Sequence, residues 1–293
     1  MSFVHQKRLT AFDYFNYSVL LFISLLCMFP ILYMILVSLT DKNVYVPYSL
    51  HIWPKKWSLG AYAYIFSTPS FLHALKNTFE ITFIGTICNL LVTFTMAYGV
   101  TDKNMPYRNF IMGLVVFTLI FNAGIIPNYL LVKNLGMLNT LWALMIPVLT
   151  NAWSLIVVKS FLDSIPGELK ESAKIDGCTD LGVFFRVILP LSKPAIAAFT
   201  LFFAVSHWNT YFNAVLYLTD TDKWTLQVLV KTIVIDASSN MTGSMAASSE
   251  DIVLPQETIR LASVVVAMLP ILIVYPFLQK HFAKGVMLGS IKG

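Results

Sequence analysis

The chain has 293 residues, 57% hydrophobic and only 12% charged, with a formal net charge of +5. A soluble domain carries about 25% charged residues. Together with a mean hydropathy of +0.72, the composition excludes a soluble enzyme and a nucleic-acid-binding domain and reads as an integral membrane protein. The positive balance then reflects basic residues that hold short loops on the cytoplasmic side, and membrane lipid is the expected surround.

The N-terminal stretch MSFVHQKRLTAFDY has a basic start. The apolar run behind it is too long for a cleavable signal and carries no small-residue cleavage site, so it reads as a retained span. Six segments meet the requirement of about 20 mainly apolar residues. In order they are Asn16 to Leu39, Thr78 to Val100, Asn109 to Val132, Leu138 to Phe161, Pro190 to Leu218 and Ile259 to Leu278. Pro30 marks a kink in the first, and Pro127 and Pro147 predict breaks or kinks in the third and fourth. Cys27, Cys88 and Cys178 lie far apart with no metal or redox spacing, and read as small buried hydrophobes.

Basic residues set the orientation. Lys7 and Arg8 flank the first span, Lys103 and Arg108 lie between the second and third, and Lys280, Lys284 and Lys292 mark the tail. An even number of spans with both termini in the cytoplasm accommodates all of them. Two long outer loops follow, about Thr40 to Asn77 and Thr219 to Thr258. Within the second, the Ser-, Ala- and Gly-rich stretch from Asp236 to Pro255 reads as flexible until something docks on it.

One cytoplasmic segment interrupts the apolar pattern: ELKESAKIDGCTDLGVFFRVILP, Glu168 to Pro190. Ser164 is a candidate N-cap with Pro166 in the first turn. A short helix is expected through Leu169, Glu171 and Ala173, ended by Gly177 in the left-handed conformation. Thr179 or Asp180 then caps a second helix. Ser172 and Ala173 are small enough for close approach, and Glu171 can pair with a partner's Arg or Lys. An amphipathic loop lying on lipid would need bulky apolar anchors and a basic face. Mixed charge and a weak apolar face favour docking to protein.

This segment resembles the mark of the permease subunits of binding-protein-dependent ABC importers: Glu-Ala-Ala, three residues, Gly, nine residues, Ile-x-Leu-Pro. Here it reads Glu171-Ser172-Ala173, Gly177, then Val187-Ile188-Leu189-Pro190, with Ser for Ala and Val for Ile as the departures. Gly124 to Pro147, Trp208 to Leu218 and Lys280 to Gly293 resemble the carbohydrate-uptake branch, in particular the six-span permease of the maltose importer. The wording is closest to a subgroup that handles uronate-containing oligosaccharides such as alginate or pectin fragments.

The resemblance implies an all-α, type I ABC importer permease fold of six transmembrane helices with a cytoplasmic coupling helix. It divides the chain into residues 1–72 (N-terminal segment, first span and outer loop), an importer core over 73–279 that holds the coupling segment 164–190, and a cytoplasmic tail over 280–293. It implies a bacterial inner-membrane subunit that works with a second permease, two ATPase subunits, an extracytoplasmic solute-binding protein and an oligosaccharide. The coupling contact would comprise Leu169, Glu171, Ser172, Ala173, Asp176 and Gly177.

No GxxxxGK[ST] loop is present, so ATP and Mg would be bound by the partner ATPases, and no catalytic or metal-binding arrangement is visible. His207 lies inside a span, where a buried hydrogen bond outweighs catalysis. For Asn89 the expectation is helix–helix glue. Glu80 sits near the end of its span and needs no special role. Trp208, Asn209, Tyr211 and Asn213 combine aromatic faces with amides, the groups that hold sugars. Asn209 and Asn213 are spaced to share a helix face. Lining a pathway and packing helices both remain open for them.

Overall fold

A computed structural model describes residues 10–41, 43–46, 53–239 and 256–289. Lys7, Arg8, Lys292 and positions 240–255 of the stretch expected to be flexible lie outside these. The described residues are helical apart from turns and one isolated antiparallel bridge, Thr40 to Trp57. The chain divides into two units, residues 1–68 with 233–267, and 69–232 with 268–293.

In the first unit, helix α1 (Ala11–Ser38) opens on a capping box. The Thr10 hydroxyl accepts from the Asp13 N–H, and the Asp13 carboxylate accepts from the Thr10 N–H at 2.7 Å. The helix runs through Pro30 without a break and exposes large apolar side chains, among them Phe12, Phe15, Phe22 and Phe29. Cys27 is exposed with them, not buried as expected, because α1 is apolar all round and has no inward face to hide it. Ser38 hydrogen-bonds the Tyr62 hydroxyl on α2 (Gly60–Ser67) at 2.7 Å, and Lys56 pairs with Asp41 at 3.1 Å.

The second unit is organised around α3 (Pro69–Thr101). Helices α4 (Arg108–Ile120), α5 (Ile125–Asn134) and α6 (Trp142–Met145) follow, then α7 (Ala152–Asp163), α8 (Gly167–Ile175) and α9 (Asp180–Val183). A π-helical turn over Phe184–Ile188 leads to α10 (Leu189–Leu191), α11 (Lys193–Trp208) and α12 (Phe212–Tyr217). Helices α13 (Leu226–Ser239) and α14 (Gln256–Gly289) each have residues in both units. Both α7 and α11 pack on α3. Their shared core holds Phe94, Leu155, Val158, Leu162, Val183, Phe184, Ile188, Phe199 and Phe203.

Three of the six expected spans are broken. The third bends by 119° between α4 and α5. The break falls at Phe121–Gly124 and not at Pro127, which sits harmlessly in the first turn of α5, where its missing N–H has no helical partner. Gly124 makes the turn at φ +90°, and its N–H donates to Asn122 Oδ1 at 2.9 Å. The fourth span bends by 53° just beyond Pro147, as its sequence predicts. The fifth begins after an 82° corner between α10 and α11 and ends at Trp208, short of Leu218. Pro190 has no N–H for a regular helical bond, and one residue earlier the Leu189 N–H reaches back five residues to the Phe184 carbonyl. By length and composition, α1, α3 and Glu257–Pro276 of α14 can each cross a membrane, and counting every bent pair as one span raises the number to six.

Candidate functional site

The Glu168–Pro190 segment folds as two capped helices around a tight corner. Helix α8 starts at Gly167 with Pro166 at the N-cap position. Ser164 does not cap it. Ser164 closes the preceding helix, α7, and its hydroxyl donates to the Phe161 carbonyl at 2.6 Å. Gly177 stands at φ +85°. The Gly177 N–H donates to the Lys174 carbonyl at 3.0 Å and the Cys178 N–H to the Ala173 carbonyl at 2.9 Å, which satisfies the carbonyls left open at the helix end. Across the corner the Thr179 hydroxyl accepts from the Gly182 N–H at 3.2 Å, so Thr179 caps α9 and Asp180 takes its first turn.

Lys174 locks the corner through a 2.7 Å ion pair with Asp180, and that hydrogen bond raises the Lys174 pKa. Lys170 lies 5.8 Å from the centre of the Tyr98 ring on α3, and its partial burial lowers its pKa. Ala173, 9% exposed, belongs to the core cluster. Glu171, Ser172, Asp176 and Gly177 are exposed, with Leu169 43% exposed. The fold therefore anchors the helix by Ala173 and leaves its acidic and small residues outward. Two apolar neighbours join that surface, Ile175 at 86% and Leu181 at 70% exposed. The sequence pattern did not single them out.

The second group separates. Trp208 is buried edge-on to Phe79 at 5.3 Å between ring centres. Asn209 is exposed as the C-cap of α11, its amide donating to the Val205 carbonyl at 3.0 Å. The helix stops there and resumes at Phe212, so Asn209 and Asn213 do not share a face. The i, i+4 expectation fails because it assumed an unbroken fifth span. Asn213 instead lines a cavity of about 140 Å³ with Asn122, Gly124, Asn128 and Tyr217, while the Tyr211 ring supports Lys231 Nζ at 4.0 Å.

The family model described as "Binding-protein-dependent transport system inner membrane component" matches residues 5–288. The chain belongs to this family. The permease is accordingly a non-catalytic membrane subunit of an ABC importer. It is 47% identical over 282 residues to the "Polygalacturonan/rhamnogalacturonan transport system permease protein YtcP" of Bacillus subtilis (strain 168), covering 96% of its own chain and 98% of that relative. Protein LplC of the same organism is 46% identical, with 96% and 95% covered. It also matches, at 29% identity and a TM-score of 0.83, a chain in the "Crystal structure of a bacterial ABC transporter involved in the import of the acidic polysaccharide alginate". That match covers 92% of the permease and 96% of that chain.

Polar side chains inside the permease serve its broken helices. Asn89 on α3 donates to the Val148 carbonyl at 2.7 Å, and Thr93, one turn on, donates to the Thr150 hydroxyl at 3.1 Å. Both partners lie at the break of the fourth span, where freed backbone groups have no water to bind. His207 Nε2 hydrogen-bonds Asn89 Oδ1 at 3.0 Å, with both residues 3% exposed. These are the buried hydrogen bond expected of His207 and the helix–helix glue expected of Asn89. At the first N–H of α13, Thr78 of α3 serves as a tertiary cap, accepting from Leu226 at 2.8 Å. Glu80 pairs with Lys76 at 3.7 Å. Replacing Asn89 with Ala should cost about 1 kcal/mol, read as a lower unfolding midpoint of the purified protein. An unchanged midpoint would mean that the break is not sealed from α3.

Proposed function

We propose that the permease forms one half of a heterodimeric translocation unit that imports a uronate-containing oligosaccharide with energy from ATP. In this reading it crosses the bacterial inner membrane six times, with both termini in the cytoplasm. The segment 164–190 is the coupling element. Two ATPase subunits bind ATP and Mg, and one of them receives α8 in a surface cleft through Leu169, Glu171, Ser172, Asp176 and Gly177, while Ala173, expected in that contact, holds the helix to the permease core. Closure of the ATPases moves the docked helix, and the spans switch from inward to outward access. A solute-binding protein outside the membrane delivers the substrate.

One observation carries this reading. Helix α8 is fixed to the core by Ala173 and locked to the next helix by Lys174–Asp180, yet its Glu171, Ser172 and Ile175 side are uncovered. A rigid mount with an open face suits transmission of force, and a helix lying on lipid has no need of the lock. The acidic substrate class is supported by the names of the 47% identical relative and of the alginate importer.

The test is a tagged pull-down from gently solubilised native membranes, followed by uptake of labelled trigalacturonate. A second permease and an ATPase should co-purify. Glu171→Ala should lower ATPase recovery and uptake about tenfold, the equivalent of ~1.4 kcal/mol, with unchanged abundance in the membrane. Recovery of the chain alone, or full-rate uptake by the variant, would refute the coupling role.

A further inference from the structure

Lys231 stands in an unusual setting. It is exposed on α13, a short apolar helix, and its ammonium rests 4.0 Å from the centre of the Tyr211 ring. Among the described side chains no carboxylate pairs with it. Acids of the preceding loop are engaged elsewhere, Asp222 near His73 at 3.7 Å and Asp220 near Lys223 at 3.6 Å. Gln227 lies one helical turn before Lys231, on the same face of α13. Its amide donates to Asn209 Oδ1 at 3.4 Å.

These residues meet at the break of the fifth span, between Trp208 and Phe212. Lysine and amide side chains exposed on apolar helices are costly against lipid, and in membrane proteins they face a water-filled path or another protein. The arrangement is also one-sided in its chemistry. The lysine only donates, Gln227 and Asn209 each keep one amide N–H beyond their bonds to Asn209 Oδ1 and the Val205 carbonyl, and among the described side chains no anion satisfies the charge. A π-face positions the ammonium without neutralising it. A carboxylate that arrives there finds a cation whose side chain is already held, so little ordering cost attends binding.

We propose that Lys231, seated on Tyr211 with Gln227 and Asn209 beside it, is a subsite that reads the carboxylate of an acidic oligosaccharide passing through the permease. The inference rests on the importer reading above. Lys231 supplies the charge, Tyr211 positions it, and the two amides offer hydrogen bonds to the adjacent carboxylate or hydroxyl oxygens.

The experiment uses the complete importer, with its second permease, ATPases and binding protein, in proteoliposomes, and compares uptake of trigalacturonate with that of its methyl-esterified form. Lys231→Gln should slow trigalacturonate uptake about tenfold, in line with the loss of a charge-assisted hydrogen bond. Uptake of the ester, complex assembly and basal ATP hydrolysis should stay near wild type, and Lys231→Arg should restore trigalacturonate uptake. Wild-type trigalacturonate uptake by Lys231→Gln would overturn the subsite and leave the importer reading intact. An equal loss for acid and ester, or a loss of basal hydrolysis, would also overturn it, since a lysine that merely braces the helix acts on every substrate alike. If the wild-type importer carries a neutral arabino-oligosaccharide and not trigalacturonate, the acidic-substrate reading falls and takes the subsite with it.

Discussion

Replacing Gly177 with Val is expected to reduce coupled transport by a factor of ~30 or more while the protein still inserts and assembles. The residue stands at φ +85°, where a non-glycine residue costs about 1–2 kcal/mol and a β-branched one is a still stronger outlier. No atom would crowd an added Cβ there, so the penalty is conformational and not steric. The chain can relieve it only by giving up the bonds from Gly177 to the Lys174 carbonyl and from Cys178 to the Ala173 carbonyl. That would unwind the last turn of α8, the turn that carries Glu171 to Asp176. Helix α9 has its own cap from Thr179, and the span beyond should be unaffected. The check is uptake together with substrate-stimulated ATP hydrolysis, at matched membrane abundance. Asn tolerates the left-handed region, so activity should fall in the order Gly, Asn, Ala, Val. If Val matched Gly, or if Asn were as poor as Val, a rigid α8 corner would not be what transmits the force.

That corner was the most legible part of the chain. Gly177, Thr179 and the fixed spacing to Pro190 are local signals, and local backbone chemistry expresses them whatever surrounds it. Ser164 misled because it lies at the seam of two helices. A Ser two residues before a Pro suits the start of a helix, but the apolar run behind it claims Ser164 as its own end. The long apolar runs identified membrane helices, yet hydropathy has no term for a bend. It could not place the turn at Phe121–Gly124, nor the stop at Trp208 that separates Asn209 from Asn213. The turn belongs to the Asn122–Gly124 pair, whose side-chain-to-backbone bond makes it, and Pro127 lies beyond it in the first turn of α5. The kind of contact that Asn89 and His207 make is legible in the sequence, since a polar side chain inside a span must find a partner. Their partners, Val148 and each other, depend on how α3 meets a broken helix far along the chain. The Lys231–Tyr211 pair was invisible for the same reason: it joins two elements through a contact that no spacing rule encodes.

The largest effect on stability should come from Gly85, a residue with no sequence motif. It sits on α3 opposite His207, and a Cβ there would lie 2.6 Å from His207 Nε2 and 2.7 Å from Cε1. Neither helix can withdraw easily, because α3 packs against α11 and α7 together. The imidazole would have to swing away, breaking its 3.0 Å bond to Asn89 Oδ1. Gly85→Ala therefore combines overpacking, at about 1–3 kcal/mol, with a buried polar group left unpaired, at about 1–3 kcal/mol. Gly85→Val should prevent accumulation of folded protein altogether. The helix propensity of Ala, ~1 kcal/mol better than Gly, works in the opposite direction and is outweighed. A double-mutant cycle separates the causes. His207→Ala alone should destabilise by removing the partner of Asn89, but it also vacates the space that the new methyl needs. Gly85→Ala in the His207→Ala background should then be nearly neutral or stabilising, giving a coupling at least as large as the cost of Gly85→Ala alone, about 1–5 kcal/mol. Unfolding midpoints of the four proteins in one detergent would decide it. Additive effects would show that the two helices part freely at this point, and that Gly85 does not set how closely α3 and α11 approach.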